Sequence, residues 1–213
     1  AGTSLTTGII DSGGAITLDA GGAITTNNLT AGDFVLANGG SITTQDIEAN
    51  SVTMTSTGGN ISSGDIFAFG AVEMDSFGDI TVGDSTAGSI DLAAGNDITT
   101  EDLSTQFLQV IDGGDAITTL LFPGASITLE AGGDIATGNI NSIDGVYADA
   151  GGSLTTLGID ANDFVQLLAG GNVTTGAIDA GGYISIESSG GAIATQALIA
   201  DGEIELDAAG NIS

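Results

Sequence analysis

Gly39-Gly40-Ser41-Ile42-Thr43-Thr44-Gln45-Asp46-Ile47-Glu48-Ala49-Asn50-Ser51-Val52-Thr53-Met54 holds three short alternating runs: Ile42-Thr43-Thr44, Ile47-Glu48-Ala49 and Val52-Thr53-Met54. Alternation with period 2 sends successive side chains to opposite sides of an extended chain, so each run reads as a strand. Runs of three residues are too short to pair as isolated hairpins, and the linkers lack regular Asn-Gly or Asp-Gly turns. Their partners must lie in other copies of the same block.

Those copies fill the chain. First anchors recur at Leu5, Ile24, Ile42, Ile61, Ile80, Ile98, Ile117, Ile135, Leu154, Val173, Ile193 and Ile212, with spacings of 18 to 20 residues. If each block is one coil and each run stacks on its counterpart one block later, every strand gains two parallel neighbours at about 4.8 Å. The expected fold is all-β: a parallel β-helix (β-solenoid) with three short strands per coil, about 19 residues per coil and about 11 coils.

Stacking converts the repeat into columns. One inward column is Ile, Leu or Val. The next is Thr or Ser: Thr7, Thr26, Thr44, Ser63, Thr100, Thr119, Thr137, Thr156, Thr175 and Thr195, with Val82 the exception. A third is small: Ala31, Ala49, Ala68, Ala87, Ala161, Ala180 and Ala200. A buried Thr column can turn its methyls to the core, and its hydroxyls are expected to bond along the stack. Gly-Gly pairs such as 39-40, 132-133 and 170-171 mark one corner, where positive φ and close backbone approach favour glycine. No helical stretch follows them, so they do not read as phosphate-cradling loops. The block after Ile80 has a polar second run, Asp84-Ser85-Thr86; the block after Ile117 contains Leu120-Leu121-Phe122-Pro123, the expected site of a bulge or local insertion.

Composition narrows the function. The 213 residues include 28 Asp and Glu, no Lys, Arg, His, Cys or Trp, and carry a formal charge of −28. Nucleic-acid recognition rests on Arg and Lys, proton transfer near neutrality most often on His, and zinc sites on Cys and His. All three classes drop out, and only a hard cation held by oxygens remains as a metal. No uncharged apolar stretch approaches membrane-spanning length, so no membrane insertion is expected. With 41% hydrophobic residues spread evenly, the charge does not mark disorder.

The block Gly39-Gly40-Ser41-Ile42-Thr43-Thr44 to Ala49, and its copy Gly170-Gly171-Asn172-Val173-Thr174-Thr175 to Ala180, resembles the roughly 19-residue repeats of filamentous haemagglutinin-type exoproteins. The resemblance covers the whole chain. It implies a right-handed parallel β-helix, secreted by bacteria through a two-partner system, serving as an adhesin shaft or surface fibre. It supplies no site residues. The absence of any basic residue departs from the family where anionic glycans are bound.

Candidate sites are acidic. Asp79, Asp97 and Asp134 precede first anchors, Asp46, Asp65 and Asp102 precede second anchors, and Asp33 and Asp163 precede third runs. Stacking makes Asp79 and Asp97 neighbours, and a calcium ion between them would relieve their repulsion. The competing reading is a solvated, self-repelling surface, favoured because neither a Gly-Gly-x-Gly-x-Asp nonapeptide nor an EF-hand occurs. A glycosidase or polysaccharide lyase would need carboxylates converging on a cleft built by long loops; the corners here are short, so no enzyme is expected. An ice-binding face would need two flat Thr ranks, and only one Thr of each pair points outward. Sequons at Asn28, Asn60, Asn172 and Asn211 arise from composition. Phe67, Phe69, Tyr147 and Tyr183 form either a sticky patch or irregular core packing, the latter favoured.

Residues 1–213 therefore read as a single β-solenoid without capping elements, a segment or stacking unit of a longer filament. The expected role is structural and extracellular, on a bacterial surface or in a biofilm matrix, with self-association or chain continuation end to end. The alternative is an adhesin stalk that binds a surface carbohydrate or protein.

Overall fold

The computed structural model describes residues 2–105, 108–110, 118–120 and 125–213. Every described element is a strand, and every strand pairing but one is parallel. Ten third-run strands, from Ile16–Asp19 through Ser51–Ser56 and Ile127–Ala131 to Ile204–Ala208, form one sheet. First and second runs form an 18-stranded sheet, because Ile135–Ser142 and Leu154–Ala161 each run through both faces. Where the first and second runs are separate strands, the third is the longest of the coil; Ser51–Ser56 buries alternate residues Val52, Met54 and Ser56.

Like residues stack on like, as the columns require. Ile24 pairs with Ile42, Ile42 with Ile61, Ile61 with Ile80 and Ile80 with Ile98. The described first-anchor side chains from Ile24 to Ile193 are all essentially buried. Each such burial is worth about 1.5–3 kcal/mol, and together they make one continuous apolar rod interior. Corners are bonded axially too: Gly40 N donates to Gly22 O at 2.7 Å and Gly171 N to Gly152 O at 2.7 Å.

The coil count is about 10, one fewer than the sequence period predicts. Ile98 pairs directly with Ile135, Leu103 with Ile140 and Ile90 with Ile127, so the block anchored at Ile117 does not intervene. Ile117, Gly113, Gly114 and Pro123 lie outside the described residues. Thr119 leaves the Thr column: Leu108–Val110 and Thr118–Leu120 pair antiparallel, with Thr119 opposite Gln109. The described strands Leu108–Val110 and Thr118–Leu120 thus pair with each other and with no neighbouring coil, and they fall in sequence between the second strand (Leu103–Thr105) and the third strand (Ile127–Ala131) of the coil that starts at Ile98.

Hydroxyls join Thr105 and Ser142 to Ala125. At the inward position occupied by Ala87 below and Ala161 above, this region has Thr105 and Ser142. Thr105 Oγ1 donates to Ala125 O (3.0 Å) and accepts from Ile143 N (2.8 Å), while Ser142 Oγ lies 3.2 Å from Ala125 O. Thr105, Ala125 and Ser142 are buried. Without residues 106–124, two residues would separate Thr105 from Ile127, the same corner length as between Ala49 and Val52 or Ala87 and Ile90. Deleting 106–124 is therefore expected to leave a cooperative ten-coil rod, its melting temperature within a few degrees of the parent; a deletion variant without a sigmoidal melt would contradict this assignment.

Two local expectations change. Thr hydroxyls mostly do not bond along the stack. Thr26, Thr100 and Thr175 donate to the carbonyl of the next residue (Asn27, Glu101 and Gly176, each 3.0 Å), which lies within closer reach than the hydroxyl one coil on. An axial hydroxyl contact does join Thr44 to Ser63 at 3.0 Å. Nor do the described glycines adopt positive φ; close approach between coils alone excludes a side chain at many of them.

Thr156 Oγ1 is buried with no hydrogen-bond partner among the described residues. Thr156→Val keeps the shape and removes the orphaned hydroxyl, so it is expected to be neutral or to stabilise by about 1 kcal/mol. Thr175→Val breaks the bond to Gly176 O and should cost about 1 kcal/mol. Urea denaturation of the two variants should give opposite shifts.

Candidate functional site

A residue just before an inward anchor points its side chain outward, while its backbone N–H lies along the rod axis. A carboxylate or amide there reaches the equivalent N–H one coil on. Asp79 N donates to Asn60 Oδ1 (3.0 Å), Asp97 N to Asp79 Oδ1 (3.4 Å), Asp134 N to Asp97 Oδ1 (2.8 Å) and Ser153 N to Asp134 Oδ1 (2.6 Å). A second ladder joins Asp46, Asp65, Asp84 and Asp102, with N–H···Oδ1 distances of 3.1–3.2 Å, and ends with Asn139 N on Asp102 Oδ1 at 2.6 Å. Hydrogen bonds to an ionised acceptor are stronger than neutral ones, so each rung offsets part of the repulsion between stacked acids.

These ladders account for the acidic corners. Their sequence sign is the Gly-Asp dipeptide at 64-65, 78-79, 83-84 and 133-134. A Cβ at Gly133 would overlap the Asp97 carboxylate, so glycine clears the space that the previous coil's acid occupies. Asp33 and Asp163 behave differently: their carbonyls, rather than their side chains, take the axial N–H of Asn50 (2.6 Å) and Gly182 (2.6 Å).

Asp79 and Asp97 are neighbours as expected. Asp79 Oδ1 takes the Asp97 N–H and Oδ2 accepts from Asn60 Nδ2 at 2.9 Å. Among the described residues, no group of three or more acidic side chains converges in a way that could hold a metal.

Outward positions carry further acids in register: Glu73 beside Asp91, Glu130 beside Asp149, Asp160 beside Asp179 and Glu187 beside Asp207. Tyr147 lies among them, its hydroxyl 3.5 Å from Asp149 Oδ2. Partial desolvation, then the charges of Asp149 and Glu130, raise its pKa above the ordinary 10.0. The folded chain therefore releases this proton less readily than the unfolded one, and stability falls as pH rises from about 10 through the raised value. Asp149→Asn in a Tyr183→Phe background should lower the phenol's titration midpoint, read by absorbance near 295 nm.

Several of the described aromatic side chains are surface features. Phe67 is 40% exposed, Phe69 39%, Phe77 73% and Tyr183 42%, so the expectation of core packing does not hold for them. Phe67 alternates outward between Ile66 and Ala68, and Phe69 follows at the corner. Phe67 and Phe69 meet edge to face at 5.1 Å, and Phe164 stacks on Tyr183 at 5.5 Å with 11° between the planes.

Apolar columns inside and carboxylates with a few paired aromatics outside define the class: a parallel β-solenoid with an acidic surface. No protein-family model, curated protein or solved structure matches the chain.

Proposed function

We propose that this chain is a structural element of an extracellular filament, the shaft of a bacterial surface fibre or biofilm-matrix fibre. It is built by continuous or end-to-end stacking of solenoid coils and has no catalytic role. The observation that carries this is axial: the same strand register repeats from coil to coil and the inward columns persist to the last coil. Ile184 stacks on Val165 and Ile204 on Ile184 just as Ile42 stacks on Ile24. The likeness of the repeats to filamentous haemagglutinin-type exoproteins supports the same reading. Electron microscopy tests it. Fibres of single-rod width with a ~4.8 Å axial repeat are expected; discrete particles about 45 Å long, the length of ten coils at that spacing, would refute it.

A second reading, an adhesin stalk for a surface carbohydrate or protein, is favoured by the exposed aromatics, which offer flat apolar surface on an otherwise acidic rod. Calcium bound between Asp79 and Asp97 belongs with this reading. It predicts a melting midpoint that rises with calcium and returns with EDTA, and an unmoved midpoint removes it.

A further inference from the structure

The second face carries a groove where charge and an ordered aromatic ring coincide. Its lining includes Asp46, Glu48, Asp65, Phe67, Asp84 and Thr86. Phe67 pairs laterally with Glu48 on one side and Thr86 on the other, so the ring has a carboxylate in the adjacent coil. Phe69 braces it edge to face, which fixes the ring plane without covering it, and Phe67 remains 40% exposed. Alongside runs the ladder of Asp46, Asp65 and Asp84. Each spends Oδ1 on a backbone amide of the next coil, and the resulting bonds hold the carboxylates in fixed positions.

A braced aromatic face beside fixed carboxylates matches a cation on an apolar stem. The ring attracts the ammonium or guanidinium through its quadrupole and packs against the methylenes, while the carboxylates supply the opposite charge. Sugars and anions lack that combination. A second copy of this chain lacks it as well, since the sequence contains no Lys, Arg or His. We infer that the Phe67 groove docks a Lys- or Arg-bearing segment of a different protein. The inference deepens the stalk reading by naming the partner's chemistry, and it does not depend on whether the rods form fibres.

The test is a titration of the full-length chain in solution with fluorescein-labelled hexalysine and hexa-arginine peptides, followed by anisotropy at ~0.1 M salt. Phe67→Leu keeps an apolar side chain at an outward position and removes the ring. It should weaken binding about five- to tenfold, in keeping with the size of a partly exposed cation–π contact. Asp65→Asn should weaken it further, and both variants should keep the parent strand content by circular dichroism. The control is Asp160→Asn with Asp179→Asn, an acid pair on the same face with no ring beside it, which should change binding less than twofold. Equal losses from the control pair and from Phe67→Leu, or no loss from Phe67→Leu, would show that the peptides respond only to overall charge and would overturn the site. Spermine binding as tightly as the peptides and unaffected by Phe67→Leu would overturn it too. Failure in this assay leaves the fibre microscopy untouched.

Discussion

Gly176→Ala is expected to destabilise the rod by about 3 kcal/mol or more, the scale of overpacking against backbone that cannot relax. A methyl there would overlap the Leu157 carbonyl oxygen and stand 2.8 Å from its carbon. That carbonyl belongs to the coil below and sits beside the bond from Gly176 N to Thr156 O (3.3 Å), so relief requires two coils to separate. For a chain of this size the loss corresponds to a fall of about 6–12 °C in melting temperature. Gly58 is the internal comparison. A methyl at Gly58 would come no nearer than 3.7 Å to another atom, the carbonyl oxygen of Gly40. Gly58→Ala should therefore be neutral or stabilising by up to about 1 kcal/mol, because alanine restricts the unfolded chain. Melts of the two variants should move in opposite directions or one not at all; equal falls would mean that glycine serves some purpose other than clearance between coils.

Raising sodium chloride from ~0.05 to ~1 M should raise the melting temperature by about 5 °C or more. Most proteins contain attractive ion pairs that salt weakens, whereas this chain has no Lys, Arg or His side chain to form one. What salt screens here is repulsion, concentrated where Glu73 faces Asp91, Glu130 faces Asp149, Asp160 faces Asp179 and Glu187 faces Asp207. Two unit charges 4 Å apart in water repel by about 1 kcal/mol, and the screening length shrinks from about 10 Å at 0.1 M to about 3 Å at 1 M. Unfolding lets these neighbours move apart, so screening favours the folded side. Chloride is the right anion, since sulfate also strengthens apolar burial. A melting temperature that stays flat or falls with sodium chloride would show that the ladder bonds already cancel the repulsion.

Columns were legible in the sequence because a solenoid turns the repeat itself into contacts: Ile42, Ile61 and Ile80 are equivalent in the pattern and adjacent in space. That Ile98 stacks directly on Ile135 was legible only as the bulge or local insertion expected at Leu120-Leu121-Phe122-Pro123, not in the coil count. Ile98, Ile117 and Ile135 are spaced by 19 and 18 residues, so periodicity alone counts an extra coil. The signals against it are Pro123 and the replacement of the small inward column by Thr105 and Ser142, which matter only once Ala125 and Ile143 are seen to need hydrogen-bond partners there. The acids were legible at the corners, but their hydrogen bonds were not: the backbone N–H of the equivalent residue one coil on is a partner that a one-dimensional pattern does not display. Gly-Asp dipeptides were the available clue, and they look like ordinary turn residues until the coil below is present.

The strands of the two stacked sheets and both ladders direct their hydrogen bonds along the rod, with a mechanical consequence. A pull on the two ends loads the coil junctions in series, so the whole rod is only as strong as its weakest junction, whatever its number of coils. A bend loads one face and spares the others. Such a rod would fail by parting at one level, with the coils on either side still folded and their newly bared edges available to pair again.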